Sequence, residues 1–71
     1  MQLVINGQER EFSDLPATAN VSDLVTILGL KGDRVAVERN GELVSRASWI
    51  ETPVQSNDKF EIVHFVGGGL R

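Results

Sequence analysis

Ile62-Val63-His64-Phe65-Val66 runs directly into Gly67-Gly68-Gly69-Leu70-Arg71. The first half alternates as a strand does, with Phe60 and Ile62 in phase and Glu61 and Val63 out of phase. The second half has three glycines in succession, which offer no side chains to pack and let φ take either sign. An ordered element therefore launches a thin tail. At ~3.3 to 3.6 Å per residue, the stretch from Gly67 to Arg71 reaches roughly 17 Å beyond the fold. By itself a glycine run also fits a flexible terminus or linker. The expected division is a folded domain over residues 1–66 and a flexible glycine-rich tail over 67–71.

Working outward, the remainder must supply the sheet to which that last strand belongs. Met1, Leu3 and Ile5 alternate with Gln2, Val4 and Asn6, and Asn6-Gly7 supplies the two φ > 0 residues of a tight hairpin. A second strand is expected from Glu9 to Phe12, then a loop from Ser13 to Asn20 interrupted by Pro16. Asn20 is the expected N-cap of a helix in which Val21, Leu24, Val25 and Leu28 share one face. Asp23 sits where an acid complements the orphan amides. Gly29-Leu30 is the expected left-handed stop. Val35 and Val37 mark a third strand, Asn40-Gly41 a second hairpin, and Leu43-Val44 a short fourth strand.

From Ser45 to Asp58 the chain is irregular, anchored by Trp49-Ile50, Pro53 and Val54. A turn or short helical piece over the sheet edge is expected there, with Trp49 partly buried. The order strand, strand, helix, strand, strand, strand predicts an α+β domain: one helix across a mixed sheet of four to five strands, with the first and last strands adjacent at its centre. The expected core is Leu3, Ile5, Val21, Leu24, Leu28, Val35, Val37, Leu43, Phe60 and Ile62.

Composition limits the function. Seventy-one residues hold one small core, and a chain this size buries only about 60% of its unfolded surface. There is no cysteine, which removes disulfides, thiol redox chemistry and cysteine-based zinc sites. The net charge of -3, without a Lys/Arg cluster, argues against nucleic-acid binding. No apolar run approaches a membrane span, and Met1 leads into a strand-like segment instead of a signal peptide, so a cytoplasmic protein with no membrane partner is expected. His64, the only histidine, has no second nucleophile or ligand beside it and reads as a solvated strand residue. No metal site is expected. Val4, Ala36, Val63 and Phe65 fall out of phase with the core and mark a candidate apolar patch on the sheet face away from the helix.

In their order and spacing, Asn6-Gly7, Val21-Ser22-Asp23-Leu24, Leu28-Gly29-Leu30, Val35 to Gly41, Trp49 and Asp58 to Gly69 make the chain resemble the ThiS-type sulfur carriers of the ubiquitin-like β-grasp family. Phe65-Val66-Gly67-Gly68-Gly69 is the most diagnostic piece. The resemblance implies a carrier without enzymatic activity of its own. An E1-like adenylating enzyme uses ATP to adenylate the carboxylate of the terminal glycine, sulfur from a donor enzyme converts it to a thiocarboxylate, and a thiazole synthase consumes it for thiamin. The matching residue is Gly69, led by Gly67 and Gly68, and no cofactor is bound. Val4, Ala36, Val63 and Phe65 then become the docking surface for those enzymes. Leu70 and Arg71 depart from the pattern, because they follow the glycine that has to be terminal. Carriers for molybdopterin or cysteine synthesis share the fold and the glycine end. A ubiquitin-like modifier or interaction module is the alternative of a different class.

Overall fold

The computed structural model describes residues 1–65. Five strands form a single sheet in the order β2-β1-β5-β3-β4, with β1 at Gln2–Ile5, β2 at Gln8–Glu11, β3 at Val35–Arg39, β4 at Glu42–Val44 and β5 at Lys59–His64. β1 and β5 run parallel side by side, and the remaining neighbours are antiparallel. This is the mixed sheet with first and last strands central that the element order predicts.

Both Asn-Gly pairs make hairpin turns with φ positive at each residue: 51° and 83° at Asn6-Gly7, 52° and 88° at Asn40-Gly41. The one α-helix among the described residues, α1 at Val21–Ile27, starts at Asn20 in a reciprocal capping box. The Asp23 N–H donates to Asn20 Oδ1 at 2.8 Å, and the Asn20 N–H donates to Asp23 Oδ2 at 2.9 Å. Its end is a Schellman motif, in which Leu30 N donates to the Val25 carbonyl and Gly29 N to that of Thr26. Gly29 holds φ at +74°, a conformation that costs any residue with a Cβ about 1 kcal/mol or more. A helix of seven residues is far below the length that persists alone, so its packed face holds it in place.

That face carries Val21, Leu24 and Val25 against Leu3, Ile5, Val35, Val37, Phe60 and Ile62 of the sheet, all buried. Leu28 is only partly buried at the margin. Leu43, expected in the core, is 71% exposed. The reason is register: the two-residue turn at Asn40-Gly41 pairs Arg39 with Glu42, so Leu43 lies opposite Glu38 and only Val44 faces inward beside Val37. The core also takes Phe12, Leu15, Ala19, Trp49 and Val54 from outside the regular strands and helix.

The irregular segment contains a 3-10 helix at Arg46–Glu51, and it packs against α1. Trp49 is 5% exposed, more deeply placed than a residue laid over the sheet edge, and its Nε1–H donates to the Val44 carbonyl at 3.0 Å. Ile50 and Pro53, expected as anchors alongside it, are exposed. Among the described residues no helix is long and apolar enough to cross a membrane.

Candidate functional site

The strand that leads toward the glycines is paired on both sides. β5 pairs with β3 from Val35↔His64 to Arg39↔Phe60 and with β1 through Val4↔Lys59 and Ile5↔Phe60. Asn6 N donates to the Phe60 carbonyl at 2.8 Å, and beyond that bond the main chain turns away and the Asn6 side chain takes over the pairing. Ile62 N donates to Asn6 Oδ1 at 2.7 Å, and Asn6 Nδ2 donates to the Ile62 carbonyl at 3.2 Å. One hydrogen bond further on, Phe65 N donates to the Arg34 carbonyl at 3.0 Å. Main-chain bonds thus continue to Phe65, the last described residue.

At its other end β5 is fixed by Asp58, which is 7% exposed. Its Oδ2 accepts from Arg39 Nε at 2.8 Å and from Gln55 N at 2.9 Å, and its Oδ1 accepts from Asn40 Nδ2 at 3.0 Å. Burial alone would raise this carboxyl, but the Asn40 amide, the Gln55 N–H and the Arg39 guanidinium together outweigh burial and hold it below its ordinary value of 3.8. Asn40 also accepts from Lys59 N at 2.9 Å, so the second hairpin turn is bound to the first residue of β5.

With α1 covering one side of the sheet, the other side lies open. Ala36 and Val63 are directly opposite each other there, and Phe65 follows Val63 on the same face, 40% exposed against 60% for Val63. These three form one apolar surface where β5 ends. Val4 shares the face but stands opposite Lys59, about 13 Å back along β5 at ~3.3 Å per residue, and it is half-buried. Leu43, expected in the core, lies on this same face beside Glu38. His64 is exposed, as expected, and stands on the helix side of the sheet, lining a shallow cleft with Asn6, Arg10 and Leu30. Gly67, Gly68 and Gly69 lie outside the described residues.

Among the described residues no nucleophile is brought together with a base. What the described residues provide is a paired sheet with an apolar surface where β5 ends. The model of the ThiS family matches residues 3–69. The chain belongs to the ThiS family. Across 97% of its length this ThiS-family chain is 49% identical to a thiazole synthase of Paramagnetospirillum magneticum, of which the match covers 20%. It is 36% identical to the sulfur carrier protein ThiS of Bacillus subtilis, over 94% of this chain and 98% of that one. The crystal structure of the thiamine biosynthesis protein ThiS from Geobacter metallireducens superposes with a TM-score of 0.83 at 33% identity, covering 97% of this chain and 100% of the other. The β-grasp assignment is thereby established. The chain spans about a fifth of the length of the thiazole synthases that it matches.

Proposed function

We propose that this chain is a sulfur carrier for thiazole formation in thiamine biosynthesis, and that its working group is the carboxylate of Gly69. The observation that carries the reading is the extent of the family match, residues 3–69, which takes in the whole platform and stops at the third glycine of the run. The sulfur carrier of Bacillus subtilis is similar to the chain over nearly its full length.

Chemistry supplies the steps. A chain with no cysteine cannot carry sulfur as a persulfide, which leaves a main-chain thiocarboxylate. An α-carboxylate with pKa of about 3.5 is ionised at neutral pH and is a poor electrophile. It therefore attacks the α-phosphorus of ATP on an adenylating enzyme, releasing pyrophosphate. The outer sulfur of a donor enzyme's persulfide then displaces AMP from the acyl adenylate, a second thiol forms a disulfide with the donor cysteine and so releases the thiocarboxylate, and a thiazole synthase takes up the sulfur. The carrier is a co-substrate of these enzymes and performs none of the steps itself. Three unbranched residues let Gly69 enter a narrow nucleotide site, while Ala36, Val63 and Phe65 dock the platform outside it.

Because Leu70 follows Gly69, the Gly69–Leu70 peptide bond has to be hydrolysed first. With the cognate adenylating enzyme and ATP, a chain ending at Gly69 exchanges pyrophosphate and a chain retaining Leu70 and Arg71 does not. Intact mass spectrometry of protein from its own cells should find a species ending at Gly69 with one oxygen replaced by sulfur. Cell-derived protein that always retains Leu70 and never gains sulfur would end this proposal.

A further inference from the structure

Asn6 makes bonds that its hairpin does not require. The turn asks only for a residue that accepts φ of 51°, a demand that glycine meets at no steric cost. The side chain is nevertheless committed to a residue 56 positions away, accepting from Ile62 N at 2.7 Å and donating to the Ile62 carbonyl at 3.2 Å. Asn40 holds the same place in the second Asn-Gly turn, with φ of 52°, and its side chain reaches the other end of β5. Its Oδ1 accepts from Lys59 N at 2.9 Å, and its Nδ2 donates to Asp58 Oδ1 at 3.0 Å. One turn asparagine thus fixes the beginning of the strand, and the other acts near its end.

The two flanks of β5 are unequal beyond Phe60. On the β3 side, pairing runs on to His64 and then to Phe65 N on the Arg34 carbonyl. On the β1 side, strand pairing among the described residues stops at Phe60, and the Asn6 amide is what supports Ile62. Without it, β5 is free to pivot about β3 from Ile62 onward. Ile62 to Phe65 spans about 10 Å at ~3.3 Å per residue, so a swing of ~10° moves Phe65 by about 1.7 Å.

That displacement matters because Phe65 belongs to the apolar surface where β5 ends and stands four residues before Gly69. Four residues reach at most about 14 Å, a tether with little slack between a docked domain and a reacting carboxylate. Misplacing a reacting group by about 1 Å can cost about 100-fold in rate.

We infer that Asn6 is a positioning residue for adenylation: by completing the β1 flank of β5 at Ile62, it fixes where the chain leaves the sheet and so brings the Gly69 carboxylate to the α-phosphorus of ATP once the domain is docked. The inference rests on the carrier reading above and deepens it. Asn6 acts through Ile62 and touches neither ATP nor the reacting carboxylate.

The test compares N6G with N40G. Glycine satisfies both turns, so each variant loses side-chain bonds at one end of β5 without backbone strain. Chains ending at Gly69 are assayed with the cognate adenylating enzyme and ATP, at a temperature where circular dichroism shows every variant folded. N6G should lower kcat of pyrophosphate exchange about tenfold with KM for the carrier within about twofold of wild type, and N40G should leave both within about twofold. N6D keeps the acceptor for Ile62 N and should recover part of the lost kcat. In the full chain, amide order parameters at His64 and Phe65 should fall from about 0.85 toward about 0.6 in N6G and stay near 0.85 in N40G. Equal kcat for wild type and N6G overturns the inference. So do equal losses in N6G and N40G, which leave Asn6 a structural role only, a loss confined to KM, and order parameters unchanged in N6G. A wild-type chain ending at Gly69 that exchanges no pyrophosphate defeats the carrier reading itself, a separately visible result.

Discussion

Asp58→Ala should be among the most damaging single changes available outside the apolar core. The carboxylate accepts from Arg39, Gln55 and Asn40 at 2.8 to 3.0 Å while only 7% exposed. Its removal leaves a guanidinium, a main-chain N–H and an amide without their acceptor. Removing one partner of a buried ion pair costs about 3–5 kcal/mol. The Arg39 side chain is 24% exposed, so water recovers part of that loss, and about 3 kcal/mol is expected. Asp58→Asn keeps the shape and one acceptor oxygen but turns an NH2 toward the Asn40 amide, so about 1.5 kcal/mol is expected from one lost bond and weaker charge assistance. Domains of this size have roughly 4–10 kcal/mol in total, and each kcal/mol shifts melting by roughly 4–8 °C. Asp58→Ala should therefore melt about 12–24 °C below wild type.

The pH dependence has a definite sign. A carboxyl whose folded pKa lies below its unfolded value stabilises the fold fully above the unfolded value and loses that contribution as pH falls through the folded one. The gap between wild type and Asp58→Asn in urea denaturation should thus be largest above about pH 5 and close as pH drops below 3.8. An Asp58→Ala protein within about 0.5 kcal/mol of wild type at pH 7 would refute the reasoning, since ordinary surface changes fall in that range.

Asn6→Ala removes both side-chain bonds to Ile62 and a residue suited to φ of 51°; about 2 kcal/mol of destabilisation is expected, with hydrogen exchange at the Ile62 amide accelerated more than at Val37. Trp49→Phe keeps the packing but loses the bond to Val44, so denaturant titration should register about 1 kcal/mol. Trp49→Ala should cost about 3–5 kcal/mol. Leu43→Ser should change stability by less than about 0.5 kcal/mol, whereas Leu24→Ala, at a fully buried site, should cost about 2–5 kcal/mol; comparable losses at both positions would contradict the strand register.

The sequence was most readable where a residue type answers a local backbone demand. Asn-Gly at both hairpins, Asn20 with Asp23 at the helix start and Gly29 at its stop each match one conformation, and the structure has it. Alternation likewise identified the inward positions of β1, β3 and β5. The same turn chemistry contained the correction at Leu43: a two-residue loop after Arg39 fixes Glu42 as its partner, which puts Leu43 outward, whereas hydrophobicity alone points inward. Phe12, Leu15 and Ala19 were less accessible to such reading, whereas Val54, expected as an anchor, is buried. The first three are buried from loop segments, where no period exists to predict a facing direction.

For the candidate surface, phase placed Ala36, Val63 and Phe65 on the open face. The spread between Val4 and Val63 depends on the stagger of a parallel pair whose strands are far apart in sequence. The bonds from Asn6 to Ile62 had no signal beyond the turn itself, because a side chain substituting for a strand's main chain leaves no pattern in composition.

The placement of β5 between β1 and β3 also sets how the molecule bears load. A partner that grips the end of the chain and pulls draws the central strand lengthwise between two neighbours. The hydrogen bonds on both flanks then resist together in shear, instead of unzipping one at a time as they would at a sheet edge. On the carrier reading proposed above, this arrangement lets the domain be pulled from the end of β5 and released with its fold intact.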